Sequence, residues 1–595
     1  MSISGKITRY QLACPIQDEH IESPINIIVK YYRLSDDETK MTKEILVSKE
    51  NHAITNKVYT IERKEQNIST NTRVILYEFD YKIENLTAGI YSVFAYEDSE
   101  ETNGLLIHPQ KQALGWTTNE MASQWAQHTI ESSNTNIEHA NIILRKPHSF
   151  FSANYPRTIE HACFHTMNHI PVLQLNAATL EDRGYSHGFL LAPHILDWFY
   201  FYLLEENFQS LTQYNEFYAF VDPTANFFHY PSEYLREIQG ILNGMKARRD
   251  CDLFLYELNR PFDFIDLLAM NSYIERRTVK PDPRTVTNSS DEPNCSQVVV
   301  WNSLTADQRI IAGRNMDGEC DIRRVTVSTT VLLAVNNSLN QSNDFYRYIS
   351  LTWPGLIGTL SGVNETGFYC MENAGPSQIG GRIRGFTPAT YIATHVLRTI
   401  DGRSATKDVV QNAFEAFSCD PKLNQDKNLW PINQAESELK GPVCGPGSVF
   451  VLATKANNEG HVFVLEGDRY GGRIRTAMQA PPYIPHCILA TNHFLLYGYS
   501  EHENFGSSIG SSSMTRYKSM CDRTKDNVAH LNTEDIRAIL QSACEGRTEY
   551  ALEVEIELNG NIIVHIHLAA SEFGLWNAPH SSAQTIHFED FFVSV

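Results

Sequence analysis

A loose polar segment runs directly into a cysteine near the middle of the chain. The segment TVKPDPRTVTNSSDEPN, residues 278–294, collects proline, serine, threonine and asparagine, which is typical of an exposed and cleavable linker. At Cys295 the composition changes to SQVVVW, which predicts a buried strand that turns back and ends in Gly-Arg-Asn-Met-Asp at residues 313–317. The fold must therefore place the start of a buried strand beside an accessible loop.

Two interpretations of Cys295 are open at this point. A cysteine is often simply a small apolar residue at the start of a strand. A nucleophilic thiol would need a base, yet the hairpin of residues 295–317 contains no histidine. If the peptide bond between Asn294 and Cys295 is cut, Cys295 gains an α-amine with a reference pKa of about 7.7–8.0, close to the thiol value of about 8.5. The residue would then carry its own base.

The chain of 595 residues is longer than one hydrophobic core usually serves, so its length predicts several domains. Residues 1–112 alternate apolar and polar positions and predict a β-sandwich accessory domain. Residues 113–170 are a mixed connecting region, helical in places. Residues 171–294 predict a short strand, a glycine-bearing turn and then mainly helices. Residues 295–595 are rich in strands, with helices near 387–418 and 533–545, which predicts an α+β domain built on two sheets.

Charge and cysteine content exclude several classes of function. The formal net charge is −21, so we expect no nucleic-acid partner. The most apolar run, residues 189–204, is interrupted by Pro193, His194 and Asp197, which favours a buried amphipathic helix and no membrane span. The first residues lack the apolar core of an export signal, and the 11 cysteines form no CxxC pair. We therefore expect free thiols and a cytoplasmic location.

Three histidines raise the question of a metal site. The stretch EHACFHTMNH places His161, His165 and His169 at i, i+4 and i+8, which would align them on one face of a helix. A metal site also needs a carboxylate or other groups that fix the imidazoles, and none is evident nearby. We expect structural histidines here, and neither a metal nor a cofactor elsewhere.

Several motifs follow Cys295 in a consistent order. Cys295-Ser with the later Gly-Arg-Asn-Met-Asp resembles the opening hairpin of N-terminal nucleophile hydrolases of the choloylglycine hydrolase, acid ceramidase and penicillin acyltransferase type. Three later stretches resemble motifs that follow in the same family: GLIGTLSGVNETGFYCMEN (355–373), ILATNHF (488–494) and SSSMTRY (511–517). Upstream, PVLQLNAATLEDRGYSHG resembles the pro-segment of the acyltransferase branch. The resemblance covers about residues 171–595 and implies a four-layer αββα sandwich preceded by a helical pro-segment.

The resemblance implies roles for three residues of the hairpin. Cys295 would be the nucleophile, with its own α-amine accepting and returning the proton after cleavage at Asn294–Cys295. Asp317 would hydrogen-bond that amine and orient it. Arg314 would lie beside the sulfur and favour the thiolate.

The resemblance also implies an oxyanion hole from later parts of the chain. Asn373 would contribute its backbone N–H and Asn492 its side-chain amide, and Arg516 would complete the polar network. The expected substrate is a small molecule with a non-peptide amide bond. With an amine in place of water as acceptor, the same acyl-enzyme would give an acyltransferase.

Two other functions remain open from the sequence. One is a phospholipase B-like lipid deacylase with the same nucleophile, although the GRNMD and TNHF motifs fit the amide-cleaving branch better. The other is a catalytically silent scaffold of the same fold that uses the N-terminal β-sandwich to bind a partner. The sequence leaves open whether the chain forms a homo-oligomer.

Overall fold

The computed structural model describes most of residues 157–593 with side chains, and before residue 157 it describes only the backbone of ten strands. The omitted positions after residue 157 are 169, 209–210, 249–250, 252, 256–257, 275–293, 318–329, 337–344, 376–386, 405–447, 455–459, 469–470, 497–510, 526–529, 545–547, 569, 572–573, 576–577, 581 and 594–595. The predicted linker up to position 293 and most of the predicted helical zone at 387–418 therefore lie outside the described residues.

The ten N-terminal strands pair into one sheet in the order β3-β2-β6-β7-β10-β1-β5-β4, with β8 on β6 and β9 on β1. Their bounds are β1 Ser2–Ala13, β2 Asn26–Leu34, β3 Ala53–Ile54, β4 Gln66–Ser69, β5 Thr72–Ile83, β6 Gly89–Asp98, β7 Leu114–Trp116, β8 His128–Ile130, β9 Asn136–Ile137 and β10 Ile142–Arg145. The sheet extends past the predicted boundary at residue 112, because β7 to β10 pair with strands from the first 98 residues. A second layer for this sheet stays a prediction.

A ten-stranded sheet forms the larger part of the C-terminal region, in the order β11-β12-β13-β18-β19-β20-β21-β22-β23-β24. The bounds are β11 Thr158–Ile159, β12 Ala162–Met167, β13 Ile170–Leu175, β18 Val331–Val335, β19 Tyr348–Thr352, β20 Ser361–Asn364, β21 Tyr369–Ala374, β22 Ser448–Thr454, β23 His461–Asp468 and β24 Gly471–Arg475. Strand β13 of the predicted pro-segment pairs in parallel with β18, so residues on both sides of the predicted cleavage point share one sheet.

A six-stranded sheet, β25-β16-β17-β26-β27-β30, carries the hairpin that begins at Cys295. Its bounds are β16 Asn294–Asn302, β17 Gln308–Asp317, β25 Cys487–Ala490, β26 Thr548–Ile556, β27 Ile562–Leu568 and β30 Gln584–His587. Two small ladders complete the strands, with bounds β14 Phe254–Leu255, β15 Arg260–Pro261, β28 Ala570–Ser571 and β29 Gly574–Leu575. The hairpin predicted after Cys295 is confirmed.

The described helices concentrate in residues 180–271, as predicted for the pro-segment, and in three later places. They are α1 Leu180–Asp197, continued by a π-helix Trp198–Asn207, then α2 Leu211–Val221, α3 Ser232–Ala247, α4 Phe264–Asn271, α5 Ala389–Thr399, α6 Ser511–Lys525 and α7 Thr533–Ser542. Short 3₁₀ turns cover Pro223–Ala225, Ala477–Gln479, Ala578–His580 and Phe588–Phe592. Helix α6, which contains the SSSMTRY motif, lies outside the two helical zones predicted after Cys295.

The glycines predicted to form a turn before α1 lie inside that helix. Helix α1 begins after Thr179, whose side chain accepts the backbone N–H of Asp182, so Gly184 and Gly188 are helical. They allow α3 to cross closely: a Cβ at Gly188 would lie 1.9 Å from the backbone oxygen of Ile241. The turn prediction is therefore wrong, because the tertiary contact, not a turn, requires these glycines.

The two faces of β16 enter different apolar cores. Val299 belongs to the large core that contains residues of the ten-stranded sheet, whereas Val298 and Val300 pack with Met520 of α6 and Ile536 of α7. Helix α5 lies against β20 and β21, and α1 lies against β12 and β13; residues of both helices belong to the large core. Residues 295, 297 and 299 therefore point between the two sheets.

No helix among the described residues combines the length and the apolar character needed to cross a membrane. The apolar run at 189–204 begins inside α1, where Leu191 and Ile195 are fully buried, and continues into the π-helix. This agrees with the prediction of a buried helix for that run.

Candidate active site

Cys295 is the second residue of β16 and points between the two sheets. Its side chain is only 2% exposed. In the ladder with β17, Asn294 pairs with Asp317 and Cys295 pairs with Met316. The Sγ atom of Cys295 lies 3.6 Å from the Sδ atom of Met316. The strand that ends in Gly-Arg-Asn-Met-Asp therefore lines the cysteine, as the sequence predicts.

Arg314 reaches the sulfur from the neighbouring strand. Its Nη2 lies 3.2 Å from Cys295 Sγ, and its Nη1 donates to Ser361 Oγ at 2.7 Å and to the backbone oxygen of Leu360. The hydroxyl of Tyr550 shares a hydrogen bond with Ser361 Oγ at 2.8 Å. Burial opposes the charge on Arg314, but the nearby Cys295 and Tyr550 groups favour it, and its pKa is raised. The guanidinium is thus held in place and stays charged.

The electrostatics of Cys295 balance burial against Arg314. Burial raises the pKa of the thiol, the Arg314 charge and hydrogen bond lower it, and Asp317 raises it again. The net direction is upward. In the continuous chain the sulfur is therefore held mainly as a thiol, with a cation already placed to stabilise a thiolate.

Asn492 and Arg516 hold the backbone of Cys295. The Asn492 Oδ1 accepts the backbone N–H of Cys295 at 2.7 Å and Arg516 Nη2 at 2.9 Å, while its Nδ2 donates to the Ala374 carbonyl at 2.8 Å. Arg516 Nη1 donates to the Cys295 carbonyl at 2.6 Å and to Ser296 Oγ at 2.8 Å. Two residues predicted from distant motifs therefore meet at the predicted nucleophile.

Asn373 lies on β21, across the space between the sheets. Its side-chain Oδ1 accepts Gln297 Nε2 at 2.6 Å, and its Nδ2 donates to the Thr491 carbonyl at 3.2 Å. All three residues are buried. The contacts connect β16, β21 and the loop after β25, so the two asparagines predicted for the oxyanion hole are adjacent through Thr491. The predicted contribution of the Asn373 backbone N–H stays a prediction.

Asp317 lies at the end of β17, beside a bulge in the neighbouring strand. The ladder between β17 and β26 shifts register between Met316 and Asp317, which leaves Glu549 as the extra residue. Thr548 then donates its hydroxyl to Asp317 Oδ1. Asp317 is fully buried and near enough to Cys295 to influence the pKa of its thiol. The predicted hydrogen bond in which a Cys295 amine donates to Asp317 requires the cleaved chain.

The loop that carries Asn492 is anchored by a buried ion pair. Glu466 Oε1 accepts Arg475 Nε at 2.6 Å, and Glu466 Oε2 accepts the backbone N–H groups of Leu495 and Leu496 at 3.0 and 2.7 Å. Arg475 Nη2 also donates to the Leu489 carbonyl at 3.0 Å. The chain on both sides of the asparagine is therefore fastened to β23 and β24. The sequence gives no signal that this pair anchors the loop, because the loop contacts it through backbone groups 14 to 30 residues away.

The three histidines considered for a metal site do not share a helix face. His165 lies on β12, where alternate residues point to opposite sides, and its neighbour His161 precedes the strand. His169 lies outside the described residues. No group of three or more histidine, cysteine or acidic residues within the described part of the chain could hold a metal ion. The prediction of a helix for this stretch is wrong, because β12 and β13 form a hairpin there.

Comparison with known proteins gives weak likenesses only. No family model and no curated protein matches the chain. Among solved structures, the N-acylethanolamine-hydrolyzing acid amidase ortholog of Caenorhabditis elegans is similar with 16% identity and a TM-score of 0.28, over 44% of this chain and 92% of its own. A variant of conjugated bile acid hydrolase from Clostridium perfringens shows 11% identity and a TM-score of 0.29, over 50% and 93%. TM-scores of this size do not define a shared fold.

Proposed function

We propose that this chain is a self-processing cysteine hydrolase of the N-terminal nucleophile type, with the four-layer αββα arrangement that its two sheets and flanking helices suggest. Cleavage between Asn294 and Cys295 would free the nucleophile, which would then hydrolyse a non-peptide amide or transfer its acyl group to an amine. The arrangement around Cys295 carries the proposal: Arg314 lies 3.2 Å from the sulfur, and Asn492 holds the nitrogen of the scissile bond at 2.7 Å.

The proposed reaction uses the nitrogen that Asn492 holds. After cleavage this nitrogen is an amine, which accepts the proton of the Cys295 thiol while the sulfur attacks the substrate carbonyl. The carbon–sulfur bond forms, the carbonyl oxygen becomes an oxyanion, and N–H groups of Asn373 and Asn492 stabilise it. The carbon–nitrogen bond then breaks and the leaving amine takes the proton. Water, or an acceptor amine, releases the acyl group from sulfur.

Charge placement supports this assignment over a structural cysteine. Arg314 and Arg516 are both completely buried, and both contact atoms of Cys295. Burying two guanidinium groups is unfavourable unless their hydrogen bonds are satisfied, and an apolar cysteine at a strand start would not need them. Cys370 illustrates the contrast: it is equally buried on β21, but none of the described residues hydrogen-bonds its sulfur, and burial raises the pKa of its thiol strongly.

The two fragments are expected to stay together after cleavage. Strand β13 pairs with β18 at four positions, from Val172–Leu332 to Leu175–Val335. The large apolar core also contains residues of α1 and α4 together with residues of β18 and β19. The leading fragment therefore supplies part of the core and would not separate as an independent domain.

Mass spectrometry of the purified, undigested protein, together with N-terminal sequencing, tests the proposal. Wild type should give two co-purifying fragments, the second beginning Cys-Ser-Gln-Val. Cys295→Ala should remain one chain and show no amidase activity, whereas the control Cys370→Ala should be cleaved and active. A wild-type chain that stays intact and hydrolyses amides would contradict self-processing, and a chain that is neither cleaved nor active would indicate a silent scaffold.

A further inference from the structure

Gln297 lies on the same face of β16 as Cys295, two residues further along the strand. Two residues of a strand correspond to about 6.6 Å. Its side chain is fully buried between the sheets, in contact with Asn373. Its cross-strand neighbour on β17 is Arg314, which contacts the sulfur. Gln297 therefore occupies the wall next to the candidate nucleophile, although none of the sequence motifs points to it.

The orientation of the Gln297 amide follows from its neighbours. A backbone carbonyl can only accept a hydrogen bond, so the group of Asn373 that faces the Thr491 carbonyl is Nδ2. Asn373 Oδ1 consequently faces Gln297 and requires a donor, which is Gln297 Nε2 at 2.6 Å. The other group of the Gln297 amide must then be the acceptor, Oε1. This chain of contacts determines which atom Gln297 leaves available.

Two polar atoms on this wall have no hydrogen-bond partner among the described residues. They are Gln297 Oε1, an acceptor, and Arg314 Nε, a donor. A buried polar atom without a partner costs about 1–3 kcal/mol. A ligand that supplies a matching group recovers that free energy, and an analogue without the group does not. A ligand with a matching polar group is therefore expected to bind against this wall more tightly than a plain aliphatic ligand.

We propose that Gln297 is a specificity-determining residue that accepts a hydrogen bond from a hydroxyl or amide N–H group on the acyl part of the substrate. The spacing from Cys295 places that group roughly two to four bonds from the carbonyl under attack. A β-hydroxyacyl amide carries its hydroxyl oxygen three bonds from the carbonyl carbon, which lies within that range, and a hydroxyl can donate to Gln297 Oε1. This inference rests on the proposed amide hydrolase and names its substrate class.

Matched substrates test the inference. We would measure kcat/KM for two aminocoumarin amides of equal chain length, one β-hydroxyacyl and one plain acyl. Wild type should favour the β-hydroxyacyl amide by about tenfold or more, which corresponds to about 1.4 kcal/mol. In Gln297→Met the ratio should fall to near one. Val299→Ala, on the same face but further from Cys295, should leave the ratio as in wild type.

The ratio separates recognition from structural damage. Gln297→Met has two effects. Loss of the hydrogen bond to Asn373 should slow both substrates by the same factor and so cannot change their ratio. Only loss of the acceptor Oε1 should lower the ratio. A ratio near one in wild type, or a wild-type ratio retained in Gln297→Met, would overturn the inference while leaving the amide hydrolase intact. Failure of both amides to show turnover that depends on Cys295 would overturn the proposed function and this inference together.

Discussion

Replacing Asn492 by alanine should reduce both stability and catalysis, and the structure gives the size of the first effect. The side chain makes three hydrogen bonds: from the Cys295 N–H at 2.7 Å, from Arg516 at 2.9 Å and to the Ala374 carbonyl at 2.8 Å. Each lost hydrogen bond typically costs about 1 kcal/mol, and more when a buried partner stays unpaired. We expect the free energy of unfolding to fall by about 3 kcal/mol or more.

Denaturant unfolding followed by circular dichroism measures this loss. The control is Asn243→Ala, the same chemical change on the exposed face of α3, which should alter stability by less than about 0.5 kcal/mol. A change below about 1 kcal/mol in Asn492→Ala would refute the three contacts. Activity is compared at a temperature where the variant is folded, and kcat should drop about 10²-fold if Asn492 donates to the oxyanion. A folded variant with unchanged kcat would refute that role.

Three further predictions concern single residues around the site and the helices. Gly188→Ala should lower the melting temperature strongly in a thermal scan, because the added Cβ would meet the backbone of α3, and an unchanged melting temperature would contradict the close crossing. His187 accepts the Gly355 N–H, and burial lowers its pKa to about 4, so it is neutral in the fold while the unfolded chain takes up a proton near pH 6.5. Stability should therefore fall between pH 6.5 and 4, by on the order of 3 kcal/mol from this residue, and His187→Gln should flatten that pH profile of unfolding. Thr548→Val should lower kcat by about tenfold with little change in KM, and Thr548→Ser should restore it, because the hydroxyl orients Asp317; equal losses in both variants would indicate a packing role.

The sequence predicted those parts of the site that local pattern encodes. The apolar strand after Cys295 and the strand that returns to Asp317 are contiguous, so composition and local pattern were sufficient to predict the hairpin. Resemblance to known motifs supplied Asn492 and Arg516, which the structure brings to the backbone of Cys295. Their roles in catalysis stay predictions.

The sequence could not predict contacts that depend on distant partners. Thr548 meets Asp317 only because of a bulge between two strands, and Gln297 meets Asn373 only because two sheets pack face to face. The same limit explains the wrong predictions. The glycines of α1 indicate a turn as long as the close crossing of α3 is not known. Histidines spaced four residues apart fit one face of a helix, even where the chain forms a strand.

The structure adds a second role to the one predicted for Asn492. From sequence, its side-chain amide was expected to contribute to the oxyanion hole. The contacts with Cys295 and Arg516 show that the same side chain holds the start of β16 in place. Loss of stability in an Asn492 variant therefore does not argue against a catalytic role, and the two effects must be measured separately.

Trapping the acyl-enzyme tests the central proposal most directly. The protein would be quenched with acid during turnover of an N-acyl aminocoumarin and digested, and its peptides would be analysed by mass spectrometry. The proposal predicts the added mass of the acyl group on a peptide whose first residue is Cys295 and whose α-amine is free. It predicts no such adduct in Cys295→Ala. An acyl group on another residue, or on a Cys295 that is still joined to Asn294, would contradict it.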